Sequence, residues 1–250
     1  MSSRSLLAAM ATMAALAGCA GVAPHSWEVT PEIRAAVASA DRSDADRKTD
    51  ERRKPEMLLA FAGVKPGMRM LDVGAGAGYS TELLARTVGP QGKVYAHNSQ
   101  AAIEQFIKTR FDERAAKPVM SNVVKVIRNF DDPVPADVRS LDLATMFFEY
   151  HDTPSMGVDR ANMNRRIFEA LKPGSYFVVA DHAAKTGAGV SGSKSLHRIE
   201  ETVVRQEVEA VGFRFAASAD FLRNTDDPRD KPVFRSAVRV DEFVLKFVKP

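Results

Sequence analysis

The feature that most constrains this chain is a run of alternating glycines between an apolar segment and an amphipathic one. Asp72 ends the apolar segment, and Gly74, Gly76 and Gly78 follow at every second position. Glycine lacks a Cβ atom and adopts positive φ readily, so the backbone of such a loop can approach a ligand closely. The helix predicted from Tyr79 directs its free N–H groups toward the same ligand. The run therefore predicts a binding loop between a strand and a helix.

Predicted strands and helices alternate along the rest of the chain. The strands cover residues 68–73, 93–97, 123–128, 141–148, 176–180, 213–216 and 243–248, and the helices between them cover 55–62, 79–88, 101–114, 163–171 and 199–211. This alternation predicts an α/β fold, a Rossmann-like, doubly wound and mostly parallel seven-stranded sheet. Such sheets bind ligands at the carboxyl ends of their strands, so polar residues at those ends are the candidate site residues.

The spacing of the glycines separates two kinds of cofactor. The dinucleotide fingerprint needs a third glycine three residues after the second, but that position is Tyr79, so a NAD site is disfavoured. The pattern Asp-x-Gly-x-Gly-x-Gly instead resembles motif I of the class I S-adenosylmethionine (SAM) methyltransferases. The resemblance implies SAM as cofactor, with Asp72 near the methionine amino group and Gly74, Gly76 and Gly78 beneath the sulfonium and ribose. A tight turn without a ligand is the alternative.

Further cofactor-binding residues are predicted at the ends of the next strands. Asn98 stands where the resemblance implies Asp or Glu, and its amide oxygen accepts hydrogen bonds without carrying a charge. Phe130 and Asp131 follow the third strand, where the resemblance implies contacts to adenine, although an Asx turn before Pro133 is the alternative. Tyr79 and Glu149 complete the predicted cofactor-binding set.

Two histidines are the candidate catalytic bases. His151 follows the fourth strand and His182 follows the fifth beside Asp181, so the sheet is expected to bring them together. Imidazole titrates near neutrality, and a base is needed when the acceptor must lose a proton. The alternative is that they only form hydrogen bonds at the strand ends. No metal site is predicted, although Asp152, Asp181 and His182 offer a divalent ligand set, as in metal-dependent O-methyltransferases.

The glycine- and serine-rich segment 185–195 lies just beyond the fifth strand. A lid above the site and a simple linker are both compatible with this composition. His197 follows the segment, and we expect it to face solvent at the start of a helix, with a position facing the pocket as the alternative.

The first residues predict an exported, lipid-anchored protein. Arg4 precedes a short apolar stretch from Leu6 to Leu16, and Leu16 begins the segment Leu-Ala-Gly-Cys, with Cys19 as the only cysteine. This arrangement is typical of a signal peptide and is too short for a membrane span. It resembles the bacterial lipoprotein box, which implies lipid on Cys19 and a periplasmic location, with Ala20 favouring the outer membrane. An ordinary signal peptide or a chance apolar tail is the alternative.

Composition and charge suggest one domain behind that anchor. We predict a signal peptide over 1–18, a spacer and N-terminal helix over 19–50, and a class I methyltransferase domain over 51–250. The formal net charge is +3, and no Lys/Arg stripe is interleaved with aromatic residues, so a nucleic-acid partner is not expected. The charged run 41–53 is predicted to form a solvated helix. Composition does not predict an oligomeric state.

From Arg53 to Pro250 the chain also resembles a group of uncharacterised, exported predicted methyltransferases. The resemblance rests on Tyr150-His151-Asp152, Ala180-Asp181-His182 and the segment 241–247. We therefore predict a SAM-dependent methyltransferase that acts on a small-molecule acceptor by in-line displacement. The alternative from another class is a non-catalytic, SAM- or nucleotide-binding or scaffold lipoprotein of the bacterial envelope.

Overall fold

A single sheet of seven strands organises residues 27–250, the part of the chain that the computed structural model describes. The strands are β1 (Arg69–Val73), β2 (Lys93–Asn98), β3 (Val123–Ile127), β4 (Leu141–Phe147), β5 (Leu171–His182), β6 (Arg214–Ala219) and β7 (Glu242–Val248). Their order is β3-β2-β1-β4-β5-β7-β6, and β7 runs antiparallel to both of its neighbours. The predicted α/β, Rossmann-like, mostly parallel seven-stranded sheet is confirmed.

Helices precede and connect the strands. They are α1 (Pro31–Ala38), α2 (Asp44–Arg53), α3 (Pro55–Ala62), α4 (Tyr79–Val88), α5 (Gln100–Ala102), α6 (Arg110–Ala115), α7 (Arg160–Ala170), α8 (Ser193–Leu196) and α9 (Glu201–Glu209). Local sequence sets several of their ends: Ser43 caps the N-terminus of α2, and Gly63 ends α3 in the left-handed conformation. Between residues 27 and 250, no helix has both the length and the apolar character needed to cross a membrane.

The central strands are covered on both faces, which explains their sequence. Leu71 and Ala144 belong to the apolar cluster on one face of the sheet, and Met70 and Leu143 belong to the cluster on the other. A strand buried on both faces has no polar side to alternate with, so it reads as a nearly continuous apolar run. This burial fixes β1 and β4 in the middle of the sheet.

The order of the strands creates one crevice at the carboxyl edge. β1 pairs in parallel with β2 on one side and with β4 on the other, so the strand order reverses between β1 and β4. Chain connections leave opposite faces at such a switch point, and ligands bind there. The glycine loop after β1 and the segment that follows β4 both emerge at this crevice.

Two predicted elements differ from the structure. The helix expected over 101–114 is interrupted, because a π-helical turn over Ile103–Ile107 ends at Lys108, whose φ is 52°. The predicted helix over 163–171 and strand over 176–180 left a gap, but β5 begins at Leu171, so Pro173 and Gly174 lie inside the strand, where the register with β4 shifts. Gly174 has a φ of 78° and donates to the carbonyl of Lys249, so it forms a bulge rather than a break.

The charged run 41–53 was predicted to form a solvated helix; the helix is present and mostly exposed, but one side of it is buried. Its helical part, α2, has Asp46 only 5% exposed, and Arg42 just before it is equally buried. Both side chains form ion pairs, Arg42 with Asp50 at 2.7 Å and Asp46 with Arg114 at 2.8 Å. Paired charges can be buried, which a pattern of charged residues alone does not reveal.

Candidate functional site

The loop between β1 and α4 requires its three glycines for different reasons. Gly74, Gly76 and Gly78 have φ values of 69°, 57° and 85°. A Cβ atom on Gly74 would lie 2.4 Å from Cγ of Glu149, and one on Gly78 would lie 2.9 Å from Cδ of Arg114. A Cβ atom on Gly76 would meet no atom within 4 Å. Gly76 is therefore the glycine whose bare backbone borders open space.

Asp72 ends β1 with its carboxylate beneath this loop. The residue is 1% exposed, and its two oxygens accept hydrogen bonds from the hydroxyls of Thr81 at 2.7 Å and Thr145 at 3.0 Å. Burial raises the pKa of Asp72 to about 6, although both hydroxyls and the cation of Arg53 act in the opposite direction. Among the described residues no cation forms an ion pair with Asp72, so a positively charged ligand group would find an uncompensated acid.

A cavity of about 410 Å³ lies above the loop, and we refer to it as the loop cavity. The residues that define it are Arg53, Asp72, Gly76, Tyr79, Phe148 and Glu149. They come from α2, the end of β1, the glycine loop, the start of α4 and the segment after β4. The loop cavity therefore lies at the switch point of the sheet, where such folds bind ligands.

Arg53 is the cation of this cavity. Its guanidinium carbon lies 4.4 Å from the ring centre of Phe148 and 5.2 Å from that of Tyr79, and its Nε atom is buried without a hydrogen-bond partner among the described residues. Burial, with the nearby charge of Arg52, lowers the pKa of Arg53 to about 10, so it stays charged at neutral pH. A buried donor without an acceptor is costly. An anionic ligand group would supply that acceptor.

Helix α2 lies against the glycine loop and is held there by Arg114 of α6. Arg114 donates two hydrogen bonds of 2.8 Å to the carboxylate of Asp46 and one of 2.9 Å to the carbonyl of Ala77 in the loop. Paired hydrogen bonds between guanidinium and carboxylate fix both distance and orientation. Arg114 therefore ties α2, α6 and the loop into one wall of the loop cavity.

Asn98, at the end of β2, holds the centre of the glycine loop. Its Oδ1 accepts from the amide of Gly76 at 2.9 Å, and its Nδ2 donates to the carbonyl of Gly76 at 3.0 Å. An aspartate could make only the first of these bonds, because a carboxylate has no donor. The amide at this position therefore gives the loop a fixed conformation.

Two further cavities continue from the loop cavity. The side cavity, about 340 Å³, shares Gly76 and Glu149 with the loop cavity and is also bordered by Asn98, Asp152 and His197. The outer cavity, about 510 Å³, shares the following residues with the side cavity: Ala102, Phe106, Asp152, Met156 and His197. Of these, Phe106 is 65% and Met156 46% exposed, which makes the outer rim apolar. The three cavities form a series from the glycine loop to the surface.

Glu149 separates the loop cavity from the side cavity. Its side chain occupies the space that a side chain at position 74 would need. Burial, together with the charges of Asp152 and Asp181, raises the pKa of Glu149 to about 8. The carboxyl group is therefore mainly protonated at neutral pH and can donate a hydrogen bond as well as accept one.

The histidine and carboxylate cluster begins behind the side cavity and reaches its wall. His151 Nδ1 lies 2.6 Å from Oδ1 of Asp181, and its Nε2 lies 3.3 Å from Oδ1 of Asp152. His197 Nδ1 lies 2.8 Å from the same oxygen of Asp152. Burial opposes a charge on His151, but Asp181 and Asp152 outweigh it and raise the pKa of His151 to about 10.

His182 is near this cluster but lies apart from the cavities. Its ring centre lies 5.0 Å from that of His151, and its Nδ1 lies 3.1 Å from Oε1 of Glu242, which also pairs with Arg52. Burial lowers the pKa of His182 well below its ordinary value, so its ring is neutral. Neither His182 nor His151 borders the three cavities. The predicted pair of bases is thus brought together, but behind the cavity wall.

The structure places the other predicted residues as follows. Tyr79 borders the loop cavity, and its hydroxyl donates to Asp50 of α2. Phe130 is buried with its ring edge-on to His97, and the carboxylate of Asp131 accepts from the backbone amide of Asp159. Phe130 and Asp131 border none of the three cavities, and their adenine contacts stay a prediction. Cys19 lies outside the described residues.

Three residues of the site were not among the predicted ones. Arg53 and Asp46 belong to a run that composition assigned to a solvated helix, and His197, expected to face solvent, is a half-buried wall of two cavities. His197 has a φ of 53°, a left-handed conformation that is uncommon outside glycine. The sequence pattern does not indicate such a turn. The Arg52-Arg53 pair just before Pro55, by contrast, was a sequence feature that could have indicated a functional residue.

Fold and site together define an α/β protein with a nucleotide-type glycine loop at its switch point. A sequence profile of the family described as methyltransferase domain matches residues 64–212, and the chain belongs to this family. It is a class I, SAM-dependent methyltransferase, as the sequence resemblance implied, and SAM is its cofactor.

Individual relatives agree with this family over part of their length. A protein-L-isoaspartate O-methyltransferase of Aeropyrum pernix is 34% identical over 67 residues, 27% of this chain and 26% of that protein. The ubiquinone/menaquinone biosynthesis C-methyltransferase UbiE of Vibrio campbellii is 29% identical over 121 residues, 48% and 43% respectively. The chain thus spans less than half the length of these curated relatives. A SAM-dependent methyltransferase of Aquifex aeolicus superposes with a TM-score of 0.59 at 21% identity, covering 84% of this chain and 100% of that chain, and shares the fold.

Proposed function

We propose that the protein transfers the methyl group of SAM to a small molecule that enters through the outer cavity. The methionine end of SAM occupies the loop cavity, and its nucleoside extends toward Asn98 in the side cavity. The observation that carries the proposal is the continuity of the cavities: the loop and side cavities meet at Gly76 and Glu149, and the side and outer cavities meet at Asp152 and His197.

The residues of the loop cavity fit the donor. SAM carries an ammonium group, a carboxylate and a sulfonium, and it needs close contact with the protein backbone. Asp72 offers an acid without an ion-pair partner, and Arg53 offers a buried Nε without an acceptor. Gly76 borders open space where any side chain would intrude. These complementary features support a donor held by Asp72, Gly76 and Arg53.

The outer cavity supports a small acceptor with an apolar body. Its volume of about 510 Å³ lies within the usual range for small-molecule sites. Phe106 and Met156 provide apolar surface, while Asp152, His197 and Lys194 provide polar groups. The curated relatives carry names that point to different acceptors, one a protein and one a quinone precursor, so they do not select one.

SAM supplies a methyl group on a positively charged sulfur, which leaves with the bonding electrons when an acceptor lone pair attacks the carbon. The protein's own contribution is to align the acceptor and to exclude water. We assign acceptor contact to Asp152 and His197, which border the cavity. His151 and Asp181, predicted as catalytic, then support Asp152 and His197 from behind, and His182 lies one layer further back. The non-catalytic alternative gains no support from the family or the site.

A change at Gly76 tests the donor site. A methyl group on Gly76 projects into the loop cavity, so Gly76→Ala should abolish SAM binding in calorimetric titration of the full-length protein. The matched control is Gly67→Ala, because Gly67 also has positive φ and nothing within 4 Å, but it lies before β1, away from the crevice. Equal SAM affinity in both variants, or no binding by the unchanged protein, contradicts the proposal.

The size of the acceptor is tested separately. Protein incubated with SAM labelled in its methyl group and with a cell extract should transfer the label to material that passes an ultrafiltration membrane. Label retained with protein, or released by ribonuclease, contradicts a small-molecule acceptor. The Gly76→Ala protein gives the background.

We also propose that the protein is anchored by lipid on Cys19 to a bacterial envelope and faces the periplasm. This proposal is supported by the sequence alone, namely Arg4, the apolar stretch after it and the Leu-Ala-Gly-Cys segment. Acyl chains on a cysteine contribute membrane affinity in proportion to their buried methylene groups.

A further inference from the structure

Three donor side chains converge at the wall between the side and outer cavities. His151 and Asp152 lie in the short helical turn after β4, and His197 follows α8, 45 residues along the chain. Their candidate ligand atoms all lie within 4.8 Å of one another. Two imidazoles and a carboxylate are a common ligand set for zinc and related transition-metal ions.

One spacing within this cluster matches the spacing of ligand atoms around a zinc ion. Asp181 accepts the Nδ1 proton of His151, so in the neutral ring Nε2 carries a lone pair, and it faces the Asp152 oxygen at 3.3 Å. Either a proton on Nε2 or a metal ion bound by both atoms can lie between them. Ligand atoms around a tetrahedral zinc ion with bonds of about 2.0 Å lie about 3.3 Å apart. The spacing of His151 Nε2 and Asp152 Oδ1 therefore matches one edge of such a site.

Asp181 supports the site from behind. It accepts three hydrogen bonds, from Nδ1 of His151, from the backbone amide of His151 at 2.8 Å and from the amide of His182 at 2.8 Å. With both oxygens so occupied, Asp181 is less suited to bind a metal itself. A carboxylate on the far nitrogen of a ligating histidine fixes the tautomer and orients the ring. This argues against the ligand set Asp152, Asp181 and His182 that the sequence left open.

One side of the cluster is open. Asp152 and His197 border both the side cavity and the outer cavity, whereas His151 is 4% exposed and lies behind them. A site with three protein ligands and one free position facing a cavity has the arrangement of catalytic rather than structural zinc sites. The free position points to where the acceptor enters.

We propose that His151, Asp152 and His197 bind one divalent metal ion of the zinc class, whose free coordination position faces the outer cavity. The ion would bind a water molecule or a hydroxyl, thiol or similar group of the acceptor, and so orient that group. Part of this inference, the role toward the acceptor, rests on the proposed function. Metal binding itself does not.

The experiment measures metal binding without SAM. Full-length protein stripped with a chelator is titrated with Zn²⁺ in a calorimeter and with Co²⁺ in the visible range, where Co²⁺ bound at low coordination number absorbs. We expect one equivalent of each ion. Asp152→Asn and His197→Asn should weaken binding by about 100-fold or more. Asparagine at position 197 tolerates the left-handed backbone, so this variant should keep its fold. The matched control is Asp226→Asn, at an exposed position.

The outcomes separate the two proposals. One equivalent of metal that is lost in Asp152→Asn and kept in Asp226→Asn supports the site. Failure of the unchanged protein to bind either ion at micromolar concentration overturns it, and so does equal affinity in Asp152→Asn. A SAM titration of the metal-free protein tests the donor site independently, so loss of one activity does not imply loss of the other.

Discussion

Arg53 carries a buried charge whose Nε atom has no hydrogen-bond acceptor among the described residues. Its guanidinium lies on the ring of Phe148. Cation–π contact stabilises the group without satisfying its hydrogen bonds. The carboxylate of a bound methionine group would satisfy them, which makes Arg53 the residue that distinguishes SAM from a bare nucleoside.

Replacing Arg53 should therefore affect one part of the donor only. Arg53→Met is expected to lower SAM affinity by about 10- to 100-fold, because hydrogen bonds to charged groups contribute about 1.5–3 kcal/mol. The affinity for 5′-methylthioadenosine, which lacks the amino-acid part, should not change. Calorimetric titration of both compounds measures this. Lys48→Met, at an exposed position on the same helix, is the control. An equal loss of affinity for both compounds would show that Arg53 does not bind the amino-acid part of SAM.

Asp72 predicts a pH dependence of donor binding. Its pKa is raised to about 6, so the carboxyl group is ionised above that pH and protonated below it. Only the ionised form balances the ammonium group of SAM. Affinity should therefore be highest above about pH 6 and fall as the pH drops below it, by at most about tenfold per pH unit. Titrations between about pH 5 and pH 7 measure this, and Asp72→Asn should bind weakly at every pH. A flat profile in the unchanged protein contradicts the assignment.

At the scale of elements, α2 packs over the glycine loop and is held there by a few ion pairs and hydrogen bonds. Asp46 pairs with Arg114, and Asp50 accepts from Arg42 and from Tyr79. The sequence predicted a helix here, but it could not predict that part of the helix is buried. Burial depends on partners such as Arg114, 68 residues away, and no local pattern encodes them.

Removing one of these interactions tests whether it holds α2 in place. Asp46→Asn removes the paired hydrogen bonds to Arg114, so α2 should open more often. Amide exchange over Asp44–Arg53 should speed up, consistent with a loss of about 1–3 kcal/mol, and SAM affinity should fall. Hydrogen-exchange mass spectrometry measures the first effect. Asp44→Asn, on the exposed side of the same helix, should leave both unchanged. Unchanged exchange in Asp46→Asn would show that Arg114 does not hold α2.

At the scale of the whole molecule, the fold followed from the sequence because its signals are local and repeated. Alternating apolar runs and amphipathic segments gave all seven strands near their true positions. The interruption after Ala102 escaped prediction, because a π-helical turn satisfies backbone hydrogen bonds without a distinctive sequence.

The site was predicted only where a strand end carried its own signal. Asp72, Gly76 and Glu149 follow directly from β1 and β4, and each borders the loop cavity. Arg53 reaches the loop cavity and His197 reaches the side and outer cavities from segments outside the sheet, so their positions depend on tertiary packing. His151 and His182 were predicted because each lies beside an aspartate. Both are buried behind the cavity wall, and Asp152 and His197 border the cavity instead.

The proposed lipid anchor on Cys19 is a prediction about the whole molecule. Cells grown with labelled palmitate should incorporate label into this protein, and Cys19→Ser should lose all of it while the protein is still made. Membrane fractionation of the same cells gives the second measurement, since the variant should leave the membrane fraction. Labelling that persists in Cys19→Ser would show that the leader does not direct lipid attachment.

The neutral amide of Asn98 has a consequence for the sugar of the donor. A carboxylate at the end of β2 would bind two hydroxyls through charge-assisted hydrogen bonds, whereas Asn98 has both amide atoms engaged with the backbone of Gly76. Only the second amide proton and the second lone pair of Asn98 are then left for the 2′- and 3′-hydroxyls, and neither bond would be charge-assisted. We expect the amino-acid end of the donor to determine which donors bind. The protein should therefore bind SAM and its 2′-deoxyribose analogue with similar affinity.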